Sequence, residues 1–249
     1  MRKLVACLAC RNKGTRLYGK PLQNLDIENR ITVLDYMIES IKSYKSVDAI
    51  VLAISEGDEN TCFIDVAKSH DVKYVIGSEE DVLKRLIDAC NAEGGTDIFR
   101  VTTESPFTYF ESLEMGWESH KKGNFDLTAL DNLPDGAGFE ISSLAAYTKS
   151  WNMGDDRHRS EFCSLYIREN KLDFKINYVE IPREIKRTDI RLTIDYPEDL
   201  VVCRIVYNEF KHLRPKIPVI EIIKFLDSNP KIKELVDPLV EEGLKTMYL

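Results

Sequence analysis

The chain reads as an α/β protein built on a doubly wound, mostly parallel sheet, with extra helices at its C-terminal end. Three observations predict this. Apolar runs of strand length at 4–9 and 49–54 are continuous rather than alternating, as in parallel sheets covered on both faces. Stretches with apolar residues at helical spacing follow them. This strand–helix rhythm repeats through the first half, which implies right-handed crossovers in one sheet.

Leu4-Val5-Ala6-Cys7-Leu8-Ala9 opens the chain as a buried strand. It breaks into a loop carrying Arg11, Lys13, Arg16 and Lys20 around Gly14 and Gly19. Residues 32–44 place Val33, Leu34, Met37, Ile38 and Ile41 at helical spacing, and 49–54 is the second long strand. A helix over 58–70 and a short strand over 72–76 follow. Ser78 with Asp81 makes a capping-box-like start to a helix over 79–91. A strand at 97–102 and a helix at 109–121 complete the regular part. The rhythm then loosens, with short strands near 126–130 and 139–141. Helices are expected at 143–150 and 161–170, on either side of the polar Asp155-Asp156-Arg157-His158-Arg159. Strands are expected at 174–179 and 190–194. Pro197 suits the first residue of a helix running to about 211. Two amphipathic helices, 219–227 and 231–242, end the chain, each preceded by a proline. The expected organisation is one large domain over 1–212 and a helical extension over 213–249. The extension either completes the pocket or serves a dimer.

A length of 249 residues, 43% hydrophobic and 31% charged, fits an ordinary globular core. The net charge of −8 argues against a general nucleic-acid binder, which needs a basic face. No run approaches the roughly 20 apolar residues of a membrane span, and Met1-Arg2-Lys3 leads into a strand without a signal-peptide pattern, so the expected location is the cytoplasm. Cys7 and Cys10 form a C-x-x-C, yet no second pair or nearby histidine completes a metal set. Reduced, structural thiols are expected.

Four cations among ten residues repel one another unless something anionic sits in their loop. Glycines let such a loop turn tightly, and its backbone N–H groups can form an anion-binding concavity. A triphosphate is the natural occupant; a solvated basic loop is the alternative. Neither G-x-x-x-x-G-K-[ST] nor G-x-G-x-x-G is present. In open α/β sheets ligands bind beyond the carboxyl ends of the strands. That edge should hold the basic loop and the segments 100–107 and 191–200. Glu104 and Asp195 each follow a strand there, two residues before a proline. Two carboxylates suit magnesium, which keeps waters and shares its other positions with substrate phosphates. Equally, Asp195 could stabilise the N-terminus of the following helix, and Glu104 could be a solvated acid.

Arg11-Asn12-Lys13-Gly14-Thr15-Arg16-Leu17-Tyr18-Gly19-Lys20-Pro21-Leu22 resembles the R-x-x-S-x-R-L-P-G-K-x-L signature of cytidylyltransferases that activate sugar acids. The resemblance is to the branch named for spore-coat polysaccharide synthesis. Thr15 replaces its usual serine and Tyr18 its usual proline. Arg100 to Phe107 resembles R-[IV]-T-G-D-x-P-[LF], with Thr103 for glycine and Glu104 for aspartate. Leu192 to Leu200 resembles L-T-[IV]-D-x-P-E-D-[LF], and Gly77 to Arg85 resembles G-S-x-x-D-V-L-x-R. Gly138-Phe139-Glu140 resembles a glycine-to-glutamate segment on the acceptor side. His158-Arg159-Ser160-Glu161-Phe162 resembles R-E-H-V-T with Ser160 inserted and Phe162 where histidine is usual.

This resemblance covers about residues 3–210 and implies a nucleotide-diphospho-sugar transferase-like, Rossmann-like fold. It implies a nucleotidyltransferase domain over 1–212 that joins CTP to a small anionic acceptor, releasing pyrophosphate, for a surface polysaccharide. Arg11, Arg16 and Lys20 would hold the phosphates. Leu8, Ala9, Cys10, Gly14, Thr15, Arg85 and Thr102 would complete the nucleotide site. Glu140, His158, Arg159 and Glu161 would face the acceptor, and Glu104 and Asp195 would ligate Mg2+. A homodimer is implied as well. Two other readings stand beside it: a nucleotide-sugar-dependent glycosyltransferase, although Asp195-Tyr196-Pro197 lacks the second aspartate of a D-x-D motif, and an inactive nucleotide-binding relative.

Overall fold

The computed structural model describes residues 2–244. β1 (Leu4–Cys10) leads through the basic loop to a hairpin of β2 (Asn24–Asp26) and β3 (Ile31–Thr32). Then come α1 (Val33–Lys42), β4 (Ala49–Ser55), α2 (Cys62–Ser69), β5 (Lys73–Gly77), α3 (Val82–Ala92) and β6 (Asp97–Arg100). The chain continues with α4 (Leu113–Gly123), β7 (Leu127–Ala129), β8 (Glu140–Ser143), α5 (Leu144–Met153), α6 (Asp156–Arg159) and α7 (Leu165–Glu169). β9 (Ile176–Tyr178), α8 (Pro197–Phe210), α9 (Val219–Ser228), α10 (Pro230–Lys233) and α11 (Asp237–Leu244) complete it.

The main sheet has seven strands in the order β5-β4-β1-β6-β8-β7-β9. β4, β5 and β6 run parallel with β1, and β7 is parallel to β9; β8 alone runs antiparallel, to β6 and β7. The chain winds outward from β1 to β5, then returns to the other side of β1 for β6. That reversal opens a crevice beyond the carboxyl ends of β1 and β6, where doubly wound sheets bind ligands.

The unbroken apolar character of β1 follows from burial on both faces. Leu4, Ala6, Leu8 and Cys10 pack into one core layer with α1, α4, α8 and α9; Val5 and Cys7 point into the other, with α3, α5 and α7. The period-2 alternation of a strand therefore sends Cys7 and Cys10 to opposite faces, and no disulfide joins any described cysteine. Val219, Ile222 and Leu226 of α9 lie in the same core layer as β1.

Helix starts obey cap chemistry. Thr32 caps α1 in a reciprocal capping box with Asp35. Pro197 opens α8 as expected. The start expected at 79 lies instead at Val82, because Asp81, not Ser78, accepts the Lys84 N–H at 2.9 Å. The strand expected at 190–194 is an extended segment bridged only at Arg191 to Asp135, so it never joins the sheet. The helix expected at 161–170 begins at Leu165. The helix expected at 231–242 splits into α10 and α11. A proline at 238 has no N–H to donate and would clash with the carbonyl four residues back, so it restarts the helix rather than continuing it.

Candidate active site

The basic loop leaves β1 into the crevice and is held there by its own backbone. Gly19 takes a left-handed conformation (φ 60°) and donates its N–H to the Asn12 carbonyl at 2.8 Å. Asn12 is buried and donates its backbone N–H to Asn60 Oδ1 at 2.8 Å, which ties the loop to the turn before α2. A Cβ on Gly14 would lie 2.3 Å from the Leu17 carbonyl oxygen, so only glycine permits this turn.

The four loop cations meet three acids drawn from different parts of the rim. Arg11 is 3.6 Å from Glu161, and Lys13 is 3.1 Å from Glu79. Arg16 and Lys20 converge on Asp195 Oδ1, at 3.5 and 2.6 Å. The Arg16 guanidinium also sits 4.9 Å over the Tyr196 ring. The repulsion expected among these cations is offset by the chain's own carboxylates.

Glu104 and Asp195, far apart in the chain, are brought together by a short zipper. The Ile194 N–H donates to the Glu104 carbonyl at 3.0 Å, and Ser105 Oγ bonds Thr193 Oγ1 at 3.1 Å. Gly136, at φ 86°, packs so closely on Thr193 and Ser105 that a Cβ there would meet both within 3 Å. Thr102 Oγ1 shares a 2.7 Å hydrogen bond with Ser105.

The strand-end backbone is largely committed. The Ala9 carbonyl accepts from Thr103 Oγ1 at 2.8 Å. Arg85, almost fully buried, donates to the Ala53 and Cys10 carbonyls at 2.8 and 3.4 Å, clamping the ends of β4 and β1. Leu8 is wholly buried in β1, whereas Gly14 and Thr15 belong to the loop itself, Thr15 exposed.

On the acceptor side the structure separates the four expected residues. Glu161 is exposed and reaches the basic loop through Arg11. Glu140 is buried between Arg100 (3.4 Å), Arg168 (3.0 Å) and Ser164 (2.6 Å), so it braces β8 rather than opening to a ligand. Burial pushes its carboxyl up, but the two guanidinium groups hold it below the ordinary value. His158 turns inward, its ring nitrogens 2.7 Å from Asp155 and 2.9 Å from Glu169, and latches α6 to α7. Arg159 lies 5.4 Å over the Trp151 ring and donates to the Trp151 carbonyl at 3.3 Å. His158 and Arg159 are thus engaged within the chain, by helix-end capping and by aromatic stacking.

The deciding comparison is with family models, where the one described as cytidylyltransferase matches residues 5–237. The chain belongs to the cytidylyltransferase family. This cytidylyltransferase is 31% identical over 233 residues to an uncharacterized protein of Methanocaldococcus jannaschii, covering 94% of each chain. It is 27% identical over 237 residues to the spore coat polysaccharide biosynthesis protein SpsF of Bacillus subtilis, covering 92% of this chain and 96% of that one. A cytidylyltransferase structure from Leptospira borgpetersenii superposes with a TM-score of 0.83 at 24% identity, over 93% of this chain and 97% of that one, which supports the fold. The protein is accordingly a CTP-dependent nucleotidyltransferase. Among the described residues no helix is long and apolar enough to cross a membrane.

The electrostatics of this cytidylyltransferase centre on Lys20 and Asp195. Burial pushes Asp195 up, but the Lys20 hydrogen bond and charge, with Arg16 and Arg191, hold it below the usual carboxylate range. Glu104 is raised: burial outweighs the pull of Lys20, and the Asp195 charge adds to the rise. The pair fits magnesium by donor chemistry, being two oxygen donors beside a cation cradle, one ionised and one held near a like charge that a cation would relieve. Among the described residues no group of three or more His, Cys, Asp or Glu side chains gathers as a larger metal cage.

Sequence reasoning missed Asp135, Arg191 and Asp199. Arg191 is buried and contacts all three of Asp135, Asp195 and Asp199, at 2.7, 3.3 and 3.0 Å. Arg191 and Asp199 flank Asp195 within one short segment, a charge spacing that signalled them; Asp135 carried no such signal. Burial, with the neighbouring Asp195, Asp199 and Glu104, outweighs Arg191 and pushes Asp135 up to about 6. The folded chain thus keeps a proton that the unfolded chain releases near 3.8. Its stabilisation is full below that value and lost as pH rises through about 6, a change of about 3 kcal/mol. Urea unfolding at pH 4 and pH 7 should show wild type losing about that much relative to Asp135→Asn. A gain by wild type over the same interval would show that Arg191 dominates.

Proposed function

We propose that this cytidylyltransferase transfers CMP from CTP to a sugar acid or another small anionic acceptor, with release of pyrophosphate, in surface polysaccharide biosynthesis. The observation that carries this reading is the convergence of Lys20 and Arg16 on Asp195, with Glu104 alongside, at the strand-end crevice. The SpsF relative supports the polysaccharide setting. An acceptor oxygen attacks the α-phosphorus in line, the bond to the bridging oxygen breaks, and its electron pair departs with pyrophosphate; the acceptor hydroxyl gives up its proton to solvent. Such transfers depend chiefly on positioning and on neutralising charge over the phosphoryl oxygens. Arg11 and Arg16 offer planar, bidentate clamps to phosphate, and Lys20 a compact point charge. Glu104 and Asp195 would hold magnesium, which when bound supplies further charge neutralisation on phosphate oxygens. Arg85 would act from below, fixing the carbonyl ends of the strands that carry the loop.

A pyrophosphate-release assay with CTP tests this reading. The acceptor panel should hold 3-deoxy-octulosonic acids, nonulosonic acids, phosphonates, and sugar and polyol phosphates. Acceptor-dependent release with one anionic class is expected. Release with none of them, or sugar transfer from a nucleotide sugar instead, overturns it.

A further inference from the structure

We infer that Arg191 and Asp199 are positioning residues that decide which oxygen of Asp195 is offered to the ligand; the inference rests on the metal and nucleotide reading above. The two side chains are buried to 99% of their surface and pair side-on, Nε to Oδ1 at 3.0 Å and Nη2 to Oδ2 at 3.1 Å. Asp199 Oδ2 also accepts the backbone N–H groups of Asp195 and Tyr196, both at 2.9 Å. One carboxylate therefore grips the Asp195 backbone and the guanidinium together. The guanidinium in turn reaches Asp195 Oδ2 at 3.3 Å, which leaves Oδ1 turned to Lys20 and Arg16. Its remaining amino group is held by Asp135 at 2.7 Å and by the Leu239 carbonyl of α11 at 3.2 Å. Backbone and side chain of Asp195 are thus fixed from one hub, and the C-terminal helices help to close it.

Only a planar fork can do this. A lysine supplies a single point charge and cannot hold Asp199, Asp135 and Asp195 in three directions at once. Carboxylates that ligate metals are commonly held by such outer partners, whose loss costs about 10–100-fold in metal affinity or activity.

The test measures CTP affinity calorimetrically without acceptor, once in saturating magnesium and once in EDTA. The ratio of the two dissociation constants reports the metal's contribution. Wild type should show a large ratio and Asp195→Asn a ratio near one. Arg191→Lys should cut the ratio by about tenfold or more while leaving the EDTA affinity within about threefold. Asp199→Asn, which preserves buried shape, should give the same pattern, so the outcome does not depend on the folding of a single variant. A purely structural role would lower the melting temperature and leave the ratio intact, overturning the inference alone. No CTP binding by wild type, or no effect of magnesium on it, overturns the functional reading and the inference together.

Discussion

Asp195→Asn is expected to lower turnover by about 10²–10³ while the protein stays folded. The amide keeps the shape and can still accept from Lys20, so only the charge is removed. That charge now holds Lys20 at 2.6 Å and Arg16 at 3.5 Å, and would share a cation with Glu104. Losing one preorganised contact of this kind costs about 3–4 kcal/mol in a transition state. Arg191 keeps Asp135 and Asp199, so the core beneath the site retains its pairing. Pyrophosphate release and circular dichroism on the same purified sample check the result. Near wild-type turnover with CTP and magnesium would remove Asp195 from the chemistry.

Lys20→Ala should be comparably severe, with a different signature. Lys20 acts on both acids: it bonds Asp195 and pulls Glu104 down against the combined effects of burial and the Asp195 charge. Without it Glu104 rises further, because the remaining interactions favour its neutral form. The acid limb of the rate–pH profile should move upward, and kcat/KM should fall by about 10²–10³. Lys20→Arg should recover only part of the loss, since a broad fork does not reproduce a compact charge. An unmoved acid limb in Lys20→Ala would separate Lys20 from Glu104.

The parallel half of the sheet was legible because burial on both faces writes an unbroken apolar run, as at β1 and β4. Starts of α1 and α8 were legible because Thr32, Asp35 and Pro197 carry cap chemistry in the sequence itself. The segment 190–194 misled for a definite reason. Its apolar pattern is strand-like, but a strand also needs a partner, and among the described residues its only bridge is to Asp135. In the site, Lys20, Glu104 and Asp195 were found from resemblance and from the strand-end rule. The meeting of the two acids follows from the same rule, but the Ser105–Thr193 and Glu104–Ile194 contacts that hold them there were not legible, because they join segments far apart in the chain. His158 and Arg159 show the limit of residue type: charge says what a side chain can bind, and only packing decides that Glu169 and Trp151 already bind them.

β8 runs against both its neighbours in the main sheet, β6 and β7. On the β1 side, residues that hold the loop are interlocked by tight glycine turns and shared carbonyls, so exchange at one position disturbs several others. α6 and α7, four and five residues long, are joined by irregular chain, and Glu161 of that chain reaches Arg11 of the loop. Exchange at Glu161 should therefore be felt at Arg11 and, through it, in the whole loop.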